Sequence, residues 1–270
     1  MTTTATTTTV TAPSQRSALR WALSDVLTLA KRNLIALFRT PTLVVFAIIQ
    51  PIMFVLLFRY VFGGAIPIPG VAYVNYLVPG ILVQTVIFGS VNTAIGLAED
   101  LQKGLIERFK ALPMARMAVL GGRTIADLSR SVVVLLVITG VGMLVGFRPD
   151  GGFVPYLEAC FVMLVFAYCL SWGFAFVGLA APSAEAAQAM TFPLIFPLVF
   201  ASVIFVPLAK LPWWLQGFAN NQPISQATYA VRGLMLGTPH GNSVWVSLAW
   251  SVGLIAVLAP LAVNRFRKAA

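Results

Sequence analysis

The densest run of ionisable side chains in this 270-residue chain is AEDLQKGLIERFKALPMAR, residues 98–116. It holds the acids Glu99, Asp100 and Glu107 and the bases Lys103, Arg108, Lys110 and Arg116. Glu99 and Lys103 are four apart, as are Lys103 and Glu107, the spacing at which opposite charges meet on a helix surface. Leu101, Leu105, Ile106, Phe109 and Leu112 give the same stretch an apolar side, and Pro113 stops it. This is the chemistry of docking rather than of bond-breaking. The segment is either a surface that receives a soluble partner or a solvated linker helix.

A second set is polar but uncharged and lies inside an apolar run. Gln84, Phe88 and Asn92 recur every four residues and therefore share one helix face. Polar side chains within a membrane span face protein or a water-filled path. Here they serve either a substrate path or dimer interface, or a hydrogen bond between helices. Further along, Pro193 and Pro197 each remove a backbone hydrogen bond from one side of another apolar run. Such breaks suit a helix that lines a cavity or one with a fixed kink.

Other chemistries are excluded or unsupported. A phosphate-binding loop ends Gly-Lys-Ser/Thr, so that backbone N–H groups and the Lys hold phosphate. Here Lys31, Lys103, Lys110, Lys210 and Lys268 are followed by Arg, Gly, Ala, Leu and Ala. Neither HExxH nor GxSxG occurs, and the single His240 makes no metal site. Cys160 and Cys169 sit in one apolar run and read as small core side chains, with no disulfide framework. Glu158 and Glu185 lie at span ends, where charge is cheap, and Asp127 lies beside Arg130, so none marks a proton path.

The elements that must carry these residues follow from composition. The chain is 59% hydrophobic and 10% charged, with a mean hydropathy of +0.90. A soluble domain carries roughly 25% charged residues, so lipid must cover much of this surface. Spans take about 20 apolar residues. Six are expected, at 42–62, 76–98, 124–147, 154–180, 187–208 and 243–264. The fold class is therefore an all-α integral membrane protein. Residues 1–15 form a Thr-rich tail expected to be disordered. Residues 16–40 form an amphipathic basic helix of the type that lies in the membrane interface, ended by Thr40-Pro41. The membrane domain spans 41–265, with a short tail at 266–270. Its segment 209–242, with Trp213 and Trp214 at the interface, reads as an outer surface or re-entrant element or an external loop.

The net charge of +10 would point to nucleic acid in a soluble protein. Here the cations lie between apolar runs and report orientation, and no nucleic-acid partner is expected. With the N-terminus inside, 14 of the 18 Lys and Arg fall inside and four, Arg59, Arg148, Lys210 and Arg232, fall outside. Both termini are therefore placed in the cytoplasm of a bacterial cell.

Three stretches carry a family likeness. The loop, through Glu99, Gly104, Glu107, Arg108, Leu112 and Pro113, resembles the cytosolic loop of type-2 ABC exporter permeases of the daunorubicin-resistance-like and nodulation-factor-export branch. Tyr76-Leu77-Val78-Pro79-Gly80 looks like that family's opening of the second span. Asn221-Gln222-Pro223-Ile224, with Tyr229-Ala230-Val231-Arg232-Gly233-Leu234 and Gly237, is similar to its segment before the last span. The likeness covers about 18–265, without the Thr-rich tail.

The resemblance implies a permease that pairs with a second permease copy, identical or paralogous, and with two ABC ATPase subunits. It implies that the loop is a cytoplasmic coupling helix, with coupling at Gln102, Lys103, Gly104, Leu105, Glu107 and Arg108. It also implies a substrate path at the dimer interface, lined mainly by the second and fifth spans, which places Gln84, Phe88, Asn92, Pro193 and Pro197 there. This chain would bind no cofactor, and ATP and Mg would sit on the partner ATPase. The competing class is a secondary transporter or channel without an ATPase. That class usually carries an ionisable residue at mid-membrane or paired broken helices.

Overall fold

The protein's computed structural model describes residues 41–62, 68, 70–104 and 116–268. The Thr-rich tail, the interfacial helix expected at 16–40 and loop residues 105–115 lie outside the described residues. Among the described residues all regular structure is helical. That is the outcome expected of apolar runs in lipid, where each segment must satisfy its own backbone.

Helix α1 (Pro41–Leu57) contains Pro51 and runs into a π-helical turn at Phe58–Phe62. Helix α2 (Tyr73–Gln102) has 30 residues and α3 (Arg116–Leu144) has 29. Helices α4 (Phe153–Ala180) and α5 (Ala184–Phe200) follow, with the Ser183 hydroxyl accepting the Ala186 N–H at the start of α5. A short 3₁₀ turn at Leu208–Lys210 leads to α6 (Trp213–Asn221), α7 (Pro223–Leu236) and α8 (Ser243–Lys268).

Among the described residues four helices are long and apolar enough to cross a bilayer: α2, the Arg123–Leu144 part of α3, α4, and the Ser243–Phe266 part of α8. The runs expected to be the first and fifth spans contain shorter apolar helices, Ile48–Val61 and Ala184–Phe200. The fifth differs most from its expected bounds. Apolar sequence continues past Phe200, but the backbone leaves the helix at Ala201. Hydropathy cannot register that break, because side chains of α7 supply the hydrogen bonds the helix gives up there.

The core is organised around α2, which packs against α1, α3, α4, α5 and α7. In its most apolar stretch 67% of residues are buried, against 17% in α8, which leans on α4 and α7. The segment expected as an outer surface or re-entrant element divides in two. Helix α6 exposes Trp213, Trp214 and Phe218. Helix α7 buries ten of its 14 residues among α2, α4 and α8. Pro223 starts α7 at a position where its missing N–H costs nothing.

Candidate functional site

The charged loop begins as the last turn of α2. Glu99 and Lys103 form the expected ion pair, at 2.9 Å, and both remain exposed to solvent. The Glu99 carboxylate and its hydrogen bond raise the Lys103 ammonium above its ordinary pKa. The helix then stops instead of continuing through the loop. The Lys103 N–H donates to the Glu99 carbonyl and the Gly104 N–H to that of Leu101. Gly104 takes a φ of +63°, a left-handed conformation that glycine adopts without strain. Of the coupling residues implied by resemblance, Gln102, Lys103 and Gly104 form this helix end. Leu105, Glu107 and Arg108 lie outside the described residues.

Behind the loop, α2 and α3 are joined by ionic contacts that hydropathy did not reveal. Arg123 of α3 pairs with Asp100 of α2 at 2.8 Å, and its other terminal nitrogen reaches the Asn92 carbonyl at 3.3 Å. It crosses α2 at Gly96, where a Cβ would collide with the guanidinium. One turn further along α3, Asp127 accepts from the Thr93 hydroxyl and pairs with Arg130 at 3.4 Å. Arg130 also donates to the Gly89 carbonyl of α2. Asp127, read from sequence as an acid beside an arginine, is held between helices by these two partners. The side chains of Asp127 and Arg130 are only 14% and 12% exposed.

Arg130 opens onto a pocket between α1, α2 and α3. Gln84, Phe88 and Asn92 of α2 all line it, together with Gln50, Pro51 and Phe54 of α1 and Arg130, Ser131, Val134 and Leu135 of α3. The helical spacing of the polar trio therefore does place it on one wall. Asn92 donates to the Gly89 carbonyl at 3.2 Å. Gln84 is 4% exposed, and its Oε1 has no hydrogen-bond partner. Pro193 and Pro197 do not line this pocket; they lie in α5. The link between the two sets is aromatic: Phe88 meets Phe196 edge-on, with ring centres 5.9 Å apart. Phe192, Phe196 and Phe200 form an exposed row along α5.

At the other end of α2 lies a contact that charge counting does not reveal. Arg232, counted as an external cation, is 8% exposed. Its Nε donates to the Tyr76 carbonyl at 3.0 Å, and one Nη donates to the carbonyls of Val203 and Ile204 at 3.0 and 3.2 Å. The guanidinium lies 3.5 Å from the centre of the Tyr76 ring. The Tyr76 hydroxyl itself donates to the Val203 carbonyl at 2.9 Å. Gln222 and Ser225 tie the same non-helical strap, at Ala201 and Val203. A Cβ on Gly80 would stand 2.6 Å from the Ile204 oxygen, so only glycine lets the strap approach α2 this closely. Two of the stretches singled out from sequence, Tyr76–Gly80 and Tyr229–Gly233, thus meet in space through Arg232.

Fold and sites together define a helical membrane subunit whose polar chemistry lies between helices and whose sequence has no phosphate-binding loop of its own. Residues 24–236 match the model of the ABC-2 type transporter family, and the chain belongs to that family. It is 36% identical over 259 residues to the daunorubicin resistance ABC transporter permease protein DrrB1 of Streptomyces coeruleorubidus, covering 96% of this chain and 92% of that one. It is 30% identical over 265 residues to the probable doxorubicin resistance permease DrrC of Mycobacterium tuberculosis, covering 95% and 93%. It is also 26% identical over 232 residues to the putative transport permease ycf38 of Cyanophora paradoxa, covering 83% and 77%. In this family the permease is the membrane transport subunit, and ATP hydrolysis belongs to a separate subunit.

Proposed function

We propose that the chain is the permease of an ATP-driven exporter in the bacterial cytoplasmic membrane, with six spans and both termini in the cytoplasm. It moves a hydrophobic or amphipathic compound, a drug-like natural product, lipid or glycolipid, out of the cytoplasm or the inner leaflet. It works as a pair with a second permease, alongside two ATPase subunits that hold ATP and Mg. The drug-resistance names of the two bacterial relatives support the drug-like class.

The observation that carries this reading is the continuity of α2. One helix of 30 residues has the charged loop at its end and the Gln84–Phe88–Asn92 wall in its middle. At about 1.5 Å per residue it is a lever about 45 Å long. A push on Gln102–Gly104, or on Leu105, Glu107 and Arg108 beyond them, moves α2 as a rod. The Asp100–Arg123 pair and the Arg130–Gly89 contact carry the motion to α3. The pocket between α1, α2 and α3 then changes shape, which is the coupling an alternating-exposure cycle needs. The aromatic row on α5, with Pro193 and Pro197 behind it, supplies an apolar path or the contact with the second permease.

The secondary-transporter reading gains nothing here. Asp127 is a largely buried acid, but a hydrogen bond from Thr93 and an ion pair with Arg130 hold it in place.

The test is purification from mild detergent with identification of what accompanies the chain. Recovery of a P-loop ATPase in near-equal amount is expected. Glu107→Arg should leave membrane insertion intact while uncoupling ATP hydrolysis from transport. Purification of the chain alone, with transport in liposomes lacking ATP, overturns the reading.

A further inference from the structure

We propose that the pocket between α1, α2 and α3 binds an acidic aromatic amphiphile: a flat apolar body, one N–H or O–H donor, and an anionic group at the far end. This deepens the exporter reading by giving its substrate a chemistry. The role in transport rests on that reading, while the binding does not.

Three polar groups on the lining already donate to backbone carbonyls: Thr85 to that of Ile81, Ser131 to that of Asp127 and Asn92 to that of Gly89. Gln50 on the α1 wall is exposed. Among the largely buried groups of the lining, two have capacity left. The Gln84 Oε1 is buried and accepts nothing. A buried acceptor left unmade is costly, so a ligand that donates to it recovers that loss. Arg130 is the other. A guanidinium has five N–H donors, and both contacts of Arg130, to Gly89 and Asp127, fall on Nη2. It is also the sole charged side chain among the described residues of the lining, since Asp127 stands behind it and does not line the pocket. An acidic group therefore meets the unused N–H donors of Arg130, whose charge Asp127 balances in part, and a protonated amine meets those donors with no acid on the wall.

The two groups also set a spacing. From Gln84 to Gly89, where Arg130 is anchored, is five residues, or about 7–8 Å along the helix. Phe54 and Phe88 supply aromatic walls between. The ligand thus carries its donor and its anion at opposite ends of a ring system about as long as naphthalene.

The test uses the full-length protein in zwitterionic lipid nanodiscs, with empty nanodiscs subtracted and no ATP added. The probe is the toluidinonaphthalene sulfonate whose amine and sulfonate lie at opposite ends of the naphthalene. It is compared with the same amine lacking the sulfonate and with the isomer whose two groups are adjacent. Binding is read by fluorescence. The first probe should bind about ten-fold more tightly than either comparison, the size of one charge-assisted hydrogen bond. Arg130→Gln should abolish that preference, and Gln84→Leu should weaken the first probe and the sulfonate-free amine alike. Equal binding of the uncharged amine or of the adjacent isomer to the unmodified protein overturns the proposal without any variant. So does a preference that survives Arg130→Gln. Failure of an ATPase to co-purify would sink the exporter reading and leave this binding result standing.

Discussion

Arg232 and Arg130 both reach across to a backbone carbonyl of α2, one in its first turn and one at its middle, and their surroundings are opposite. Arg232 touches three carbonyls and the face of Tyr76, with little of it exposed. Arg130 holds the Gly89 carbonyl and Asp127 and turns its remaining edge to a pocket that also contains the unpartnered Gln84. The first arginine fastens a broken helix to its neighbour. The second borders a space with unmet hydrogen-bonding capacity. A guanidinium in a helical membrane bundle is thus not informative by its presence. What distinguishes a rivet from a binding group is how much of its donor capacity is spent: Nε and one Nη in Arg232, one Nη alone in Arg130.

Removing the rivet should have the largest effect. Arg232→Ala leaves three buried carbonyls and the Tyr76 ring without their cation, and should destabilise the detergent-solubilised protein by about 3 kcal/mol or more. Arg232→Lys should rescue little, because an ammonium cannot fork to several carbonyls while stacking on a ring. A thermal melt matching the parent would show that the strap is held by something else. Next is Gly80→Ala, whose Cβ meets the Ile204 oxygen. A loss of about 1–3 kcal/mol is expected. Combined with Arg232→Ala it should be less than additive, since both loosen the same seam.

At the pocket end, Asp127→Asn should cost about 2 kcal/mol by weakening a charge-assisted contact. Gln84→Leu should go the other way. It deletes a buried acceptor without a partner at little change in shape, so the melt should be unchanged or rise by up to about 1 kcal/mol, while binding and transport fall. A protein that loses stability on Gln84→Leu would erase the contrast between the two regions. Smallest of all is Lys103→Ala. Its partner Glu99 is exposed, so the loss should be under about 0.5 kcal/mol and should vanish at high salt.

Several features were legible because they depend on local pattern alone. The helical spacing of Gln84, Phe88 and Asn92 put them on one face, and the structure has them on one wall. The Glu99–Lys103 pair follows from the same periodicity. The end of α5 was not legible. Residues after Phe200 are as apolar as those before it, so composition carries the expected span to 208 while the backbone turns away at Ala201. Nor was the burial of Arg232, because counting cations by side of the membrane says nothing of what each one touches. A signal was present in retrospect: Tyr76–Gly80 and Tyr229–Gly233 stood out as separate stretches, and they are the two sides of one contact.

By itself the sequence determined the helical class, the approximate runs and the absence of a Gly-Lys-Ser/Thr loop. These follow from hydropathy and residue identity, which act along the chain and need no partner. Only the tertiary structure decided which polar groups are spent and which are free. Hydrogen-bond satisfaction is settled by what lies across the space between helices: Arg232 found three carbonyls, while the Gln84 Oε1 found a cavity.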